Sequence, residues 1–179
     1  MTIESSGIRI EKARPGDARG MQEVFYRSWL ATYPNAEYGI TVEDIEYRFK
    51  DRLAPDVLAK REERLAHSPA GETTLVARDG GTVVGLCRVV VHEDVNEQQA
   101  FYLLPECRRR GIGTRLWKEA QKYTDPSKPS IVYVAPYNTP AIRFYESLGY
   151  VATGKRLEGR FVLKSGAQIP EMEMRLKAR

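Results

Sequence analysis

The tripeptide Asp79-Gly80-Gly81 sits between two runs rich in apolar and β-branched residues, Thr73 to Arg78 and Val83 to Val91. Asp-Gly between such runs is a strong hairpin signal, because these residues tolerate the positive φ that a tight turn needs. A hairpin commits the chain to an antiparallel sheet, and the remaining segments must be arranged around it.

Ile8 to Lys12 alternates apolar and charged residues, as a half-buried strand does. Pro15-Gly16-Asp17 breaks it and opens a helix. Met21, Val24, Phe25, Ser28 and Trp29 recur there at helical spacing up to about Tyr33, and Pro34-Asn35 ends the helix. Val42 to Arg52 and Pro55 to Ala66 read as two more helices. After the hairpin, Glu97 to Leu104 reads as a third strand of the meander, stopped by Pro105. A helix is expected from about Gly113 to Thr124, then a short apolar strand from Ile131 to Ala135. Asn138 to Leu148 reads as a helix ended by Gly149, and Tyr150 to Leu157 and Glu171 to Lys177 as two closing strands. This order predicts an α/β (α+β) fold: a mixed, mostly antiparallel central sheet of about seven strands with helices on both faces. No Pro/Gly/Ser-rich linker interrupts it, so residues 1–179 are expected to form a single domain.

Composition narrows the function. Hydrophobic residues make up 42% and charged residues 29%, which is ordinary globular usage. No apolar run approaches the roughly 20 residues of a membrane-spanning helix. Met1 to Gly16 lacks the apolar core of an export signal, so a cytoplasmic protein with no membrane partner is expected. Cys87 and Cys107 read as free thiols. Two His, distant from both, suggest no metal site. The net charge of +4 says little about partners. Its densest run, Arg108-Arg109-Arg110, is too small a basic footprint for nucleic acid.

That run lies in the most informative segment, Ala100 to Thr114, AFYLLPECRRRGIGT. A strand enters a loop with three arginines and Gly111-Ile112-Gly113, and the loop passes straight into a helix. Glycine lets backbone approach a ligand closely. The first helical amides have no partner within the helix, and with the helix dipole they form an anion site suited to a pyrophosphate. The Gly-Lys-Ser/Thr ending of a Walker loop is absent. The dinucleotide fingerprint fails too, because position 116 is Leu.

Arg108-x-x-Gly111-x-Gly113, preceded by Leu103-Leu104-Pro105-Glu106, resembles the Arg/Gln-x-x-Gly-x-Gly/Ala signature of the GCN5-related N-acetyltransferases (GNAT). Asn138, Ala141, Phe144-Tyr145 and Leu148-Gly149-Tyr150 resemble a second segment of that superfamily, at matching spacing. The resemblance runs from about Thr73 to Thr153. It implies a co-substrate, acetyl-CoA, lying between two splayed parallel strands that end near Leu104 and Ala135. Backbone near Leu103 and Leu104 would hold the pantetheine arm much as an added strand would. Amides of the Arg108, Arg109, Arg110, Gly111, Ile112, Gly113 and Thr114 loop would hold the pyrophosphate, and Asn138 with Ala141 would approach the arm from the other side.

By the same resemblance, transfer to a primary amine is direct, in a ternary complex. The Leu103 amide is the candidate donor to the oxyanion. Tyr145 is the candidate general acid for the departing thiolate. Glu97, six residues before Leu103 on one strand face, is a candidate base, although Glu97, Glu93 and Asp94 also read as solvated strand-end charges. Cys107 has no His nearby in sequence to activate it and reads as structural. Trp29, Tyr33 and Tyr38 are candidates for an acceptor pocket, with Trp29 equally a core residue. Glu43, Asp44, Glu46, Glu93, Asp94 and Glu97 could form an acidic mouth for a cationic, polyamine-like acceptor or a peptide amine. The family often forms homodimers through its last strands. The alternative to an enzyme is a non-catalytic acyl-CoA-binding module.

Overall fold

The computed structural model describes residues 7–160 and 162–178, so the first six residues of the stretch read for an export signal lie outside it. Seven strands form one sheet: β1 (Ile8–Lys12), β2 (Glu72–Asp79), β3 (Thr82–Val91), β4 (Asn96–Leu103), β5 (Ser130–Val134), β6 (Val151–Leu157) and β7 (Glu171–Leu176). Their order across the sheet is β1-β2-β3-β4-β5-β7-β6, and every pairing is antiparallel except β4 with β5. The hairpin turns through Gly80-Gly81, with Gly80 at φ +59°. No described helix is long and apolar enough to cross a membrane.

Five α-helices cover the sheet: α1 (Ala18–Leu30), α2 (Val42–Arg48), α3 (Pro55–Ala66), α4 (Ile112–Ala120) and α5 (Thr139–Ser147). Met21 and Val24 of α1 pack on Val76, Leu86 and Ala100 on one face of the sheet. Leu116 and Ala120 of α4 pack on Leu75, Cys87 and Val89 on the other. Ile112, Leu116 and Ala120 fall four residues apart, and all three are fully buried. Burial of each of the two larger side chains contributes about 1.5–3 kcal/mol.

Three helices are shorter than the sequence suggests. The one read to about Tyr33 ends at Leu30. The one read to Arg52 ends at Arg48 and continues as turns, and the one read to Thr124 ends at Ala120 and tightens into a 3₁₀ turn over Gln121–Tyr123. A tighter last turn satisfies carbonyls that would otherwise lack donors.

Asp44 is a helix-start residue, and this removes it from any acidic mouth. Thr41 caps α2, its Oγ1 accepting from the Asp44 amide at 3.1 Å, while Asp44 accepts from the Thr41 amide at 2.9 Å. Asp44 also accepts from the Ser165 amide at 2.7 Å and the Ser165 hydroxyl at 2.8 Å. These amide and hydroxyl donors, Thr41 first, pull its pKa from 3.8 to about 2. Asp44→Ala is therefore expected to cost about 2–3 kcal/mol at pH 7. Because the folded pKa is depressed, this stabilisation is complete above pH 4 and fades as pH falls towards 2. Urea unfolding of both proteins at pH 7 and pH 3 checks it: equal midpoints at pH 7 would refute the assignment.

Candidate active site

The parallel pair is short. β4 and β5 pair only over Asn96–Gln98 with Ser130–Val132. From Gln99 to Leu103 the β5-facing edge of β4 has no strand partner, which leaves about 16 Å of backbone edge at 3.3 Å per residue. The divergence begins at a bulge. Arg88 pairs with Ala100 and Val89 with Gln98, so Gln99 is left without a partner on β3. Bulges bend and twist the strand that carries them.

The register decides which backbone groups face the gap. The Leu104 amide donates to the Val84 carbonyl at 2.9 Å. In an antiparallel ladder bonded pairs alternate, so Tyr102 and Ala100 also bond to β3, while Phe101 and Leu103 aim their amides away from it, towards β5. The two leucines expected to hold the arm are thus divided. The Leu103 amide faces the gap, and the Leu104 amide is committed to β3. The Leu103 carbonyl is occupied as well, accepting from the Ser28 hydroxyl at 2.9 Å.

Gly85 stands opposite Leu103 in this ladder. A Cβ there would lie 2.3 Å from a Leu103 methyl and 3.0 Å from the Tyr102 carbonyl oxygen. Gly85→Ala is expected to lower stability by about 1–3 kcal/mol through overpacking. An unchanged urea midpoint would show that Leu103 has room to move.

At the end of β4, Pro105–Cys107 form a 3₁₀ turn and the chain enters the arginine loop. Arg109 and Gly111 both adopt left-handed backbone, with φ of +61° and +74°. Gly111 is the residue before the first turn of α4, and the first bond of that helix runs from the Arg115 amide to the Gly111 carbonyl at 3.1 Å. The amides of Ile112, Gly113 and Thr114 therefore precede the helical ladder. This end of α4 packs beside Leu103 and Phe144: a Cβ at Gly113 would make ordinary contact, 3.4 Å from the Phe144 ring and 3.5 Å from Leu103. The loop thus sits at the open end of the gap.

The three arginines do not act as a block. Arg108 reaches the Thr32 hydroxyl at 3.2 Å and Arg110 pairs with Asp79 at 3.5 Å. Cys107 beneath them is buried, which pushes its thiol pKa up and disfavours a nucleophilic thiolate. Cys87, in the core, is pushed up to about 12.

α5 borders the gap on its other side. Asn138 caps the helix with Oδ1, which accepts from the Ala141 amide at 3.3 Å, and its Nδ2 donors take no part in the cap. Tyr145 is 4% exposed and packs against Phe101, Phe144 and Tyr150 at centroid distances of 5.3–6.3 Å. Burial, then the nearby Tyr150, Cys87 and Tyr102, raise its pKa well above 10, so it stays a protonated donor.

Tyr102 lines a cavity of about 210 Å³ on the α1 face, where β4 and β5 part. Trp29 of α1 and Tyr33 just beyond it form one wall, Gln98 and Gln99 of β4 another, and Arg88, Tyr133, Arg160 and Glu171 complete it. The Tyr33 and Tyr102 hydroxyls lie 3.2 Å apart. Tyr38 is elsewhere, in a shallow depression beside Leu157 and Gln168.

The expected acidic mouth does not gather here. Glu43 pairs with Lys164 at 2.7 Å, Asp44 caps α2, and Glu93 and Asp94 are exposed outside the cavity lining, which Glu46 also does not join. Glu97 accepts from Arg160 at 2.9 Å and Gln99 at 3.3 Å and lies 3.0 Å from His92 Nε2. Burial raises its pKa, but these bonds outweigh burial and the net shift is downward, which weakens it as a base. Glu171 is shifted the other way: burial raises it, and Arg160 only partly offsets this. Sequence reasoning missed Arg88, Gln99, Arg160 and Glu171, which belong to no motif and meet only in the folded chain.

Residues 70–152 match the family model for the acetyltransferase (GNAT) domain. No curated protein sequence matches the chain. Among solved structures it is similar to the PaiA N-acetyltransferase of Thermoplasma acidophilum in complex with coenzyme A, at 21% identity and TM-score 0.71 over 95% of this chain and 98% of that one. It is also similar to the spermidine N-acetyltransferase of Vibrio cholerae in complex with CoA and spermine, at 18% identity and TM-score 0.66 over 97% of each chain. YncA of Salmonella typhimurium, solved with its cofactor acetyl-CoA, is similar at 22% identity and TM-score 0.62 over 96% of this chain and 94% of that one. At these identities the likeness is one of fold. Residues 70–152 are therefore a GNAT acetyltransferase domain, and the chain around them has the GNAT acetyltransferase fold.

Proposed function

We propose that the protein is a cytoplasmic, single-domain N-acetyltransferase that moves an acetyl group from acetyl-CoA directly to a primary amine. One observation carries this reading: the unpartnered β4 edge, with the Leu103 amide facing the gap, lies between the α4 loop on one side and a small cavity on the other. The residues present fit the co-substrate. The β4 edge offers backbone bonds to an extended arm. The amides of Ile112 to Thr114 suit a pyrophosphate, and Arg109 adds positive charge beside them while Arg108 and Arg110 hold Thr32 and Asp79. The thioester, when bound, supplies the activated acetyl group.

In the reaction a nitrogen–carbon bond forms and the carbon–sulfur bond breaks. Two protons leave an ammonium nitrogen in all: one goes to an acceptor before attack, and the second, shed as the amide forms, replaces the proton that Tyr145 gives to the sulfur. The Leu103 amide, which faces the gap, is the candidate donor to the carbonyl oxygen as it gains charge. Tyr145, at the family position for the acid, is the candidate donor of a phenolic proton to the sulfur. The ammonium proton leaves through the cavity, where Glu171 and water are the candidate acceptors and Glu97 is held by Arg160. The cavity is small against the roughly 300–1,000 Å³ of common ligand sites, so it suits a compact amine or the end of a chain.

A thiol-release assay with acetyl-CoA against a panel of amines tests the reading. CoA binding without thiol release above background for any amine would leave a non-catalytic acyl-CoA-binding module in its place.

A further inference from the structure

The cavity has two poles of opposite charge. The order β3, β4, β5, β7 places Arg88 at one end and Glu171 at the other. Three strand spacings of about 4.8 Å, widened by the splay, separate the two backbones by at least roughly 14 Å. At the β7 end two carboxylates share one guanidinium: Arg160 lies 2.9 Å from Glu97 and 3.4 Å from Glu171. That end has an excess of one negative charge.

At the β3 end the guanidiniums of Arg64 and Arg88 meet one carboxylate, Glu72, and a third guanidinium, Arg61, lies beside them. Glu72 accepts two bonds from Arg64, at 3.1 and 2.5 Å, and lies 3.4 Å from Arg88 Nε, too poorly aligned for a hydrogen bond. Arg61 stacks over the Phe25 ring at 4.9 Å, and its charged neighbours are Arg88 and Arg64. This end has an excess of two positive charges. Half-buried cations in excess are costly unless an anion completes the set. The cost is visible at Arg61, where burial and then the two neighbouring cations pull the pKa to about 10. A carboxylate is the natural complement, because the guanidinium fork matches its two oxygens.

We propose that the amine acceptor also carries a carboxylate, which seats on Arg88 while the amine lies towards Glu171 and the gap. The acceptor class is thus a free amino acid or a similar small amino-carboxylate. This deepens the acetyl-transfer reading and rests on it for the reaction, though not for the binding. A polyamine would add further positive charge beside the arginine pole, and it is the disfavoured acceptor.

The test is calorimetry on the full chain saturated with CoA. The probes are alanine, leucine, methionine and glutamate, each beside its amide and its decarboxylated amine, with spermidine as a further ligand. At least one free acid is expected to bind about tenfold or more tightly than its amide and amine, the loss expected for a bond to a charged group. In Arg88→Gln that ratio should fall towards one, with CoA affinity reporting that the variant is folded. If the variant fails to bind CoA, the wild-type ratio alone decides. Amides, amines or spermidine binding as tightly as the free acids, no free acid binding, or an unchanged ratio in folded Arg88→Gln would each overturn the proposal. Free acids that bind without thiol release would instead overturn the acetyl-transfer reading and leave the ligand class standing.

Discussion

Tyr145→Phe is expected to lower kcat about 100-fold, with CoA affinity changed by less than about threefold. The substitution removes one oxygen and keeps the ring. Tyr145 packs against Phe101, Phe144 and Tyr150 through that ring, so the α5 packing survives. What disappears is a proton donor that burial keeps protonated. A positioned acid contributes about 10²–10⁴-fold to a proton transfer. Because the Tyr145 pKa is raised, ionisation of its phenol should not limit the rate anywhere below pH 10. Steady-state kinetics beside CoA calorimetry separates the possibilities. An unchanged kcat would reduce Tyr145 to a packing residue, and kcat and CoA affinity falling together would mean that the helix itself had shifted.

The second large effect is expected at Gly111. Gly111→Val should weaken CoA binding about 30-fold or more while leaving the core intact. A Cβ at this position would meet nothing within 4 Å, so no clash is involved. The effect comes from the backbone, because φ is +74° and a β-branched residue there is strained by about 1–3 kcal/mol. The loop would relax to another conformation and turn the amides of Ile112 to Thr114 away from the phosphate position. Each bond to a charged group contributes about 1.5–3 kcal/mol, so losing one or two gives the expected change. Gly111→Asn is the matched control, because Asn tolerates left-handed backbone and should retain most of the affinity. If both variants bound CoA like the parent, the loop amides would not be the phosphate site.

Much of the fold was legible because each element carries its own local signal. Gly80-Gly81 marks the hairpin, and Leu116 and Ala120 repeat at helical spacing. Pro105 and Gly149 stop elements where the sequence says they should. The α4 loop and Tyr145 were legible for a different reason: the loop chemistry is local, and the motif spacing resembles a known family. The gap between the parallel strands was expected only through that resemblance, and the place where it opens was not legible. It opens at the Gln99 bulge, and Gln98-Gln99 contains no Gly or Pro to announce one. The division of Leu103 from Leu104 follows from the ladder register, a relation between two strands that neither strand states alone.

The acceptor side was the least legible part. Asp44 and Glu97 look like free acidic charges in the sequence, and folding commits both: Asp44 to the α2 cap and Ser165, and Glu97 to Arg160, 63 positions away. Arg61, Arg64 and Arg88 look like scattered surface cations until folding brings Arg64 of α3 and Arg88 of β3 to Glu72 of β2, with Arg61 beside them. By itself, the sequence determined the elements, their order and the phosphate-type loop, because propensity, periodicity and turn chemistry act over a few residues. Tertiary structure alone decided where β4 and β5 part, which amide faces the gap and which charges meet in the cavity. Those depend on distances between segments far apart in the chain, which no local pattern encodes.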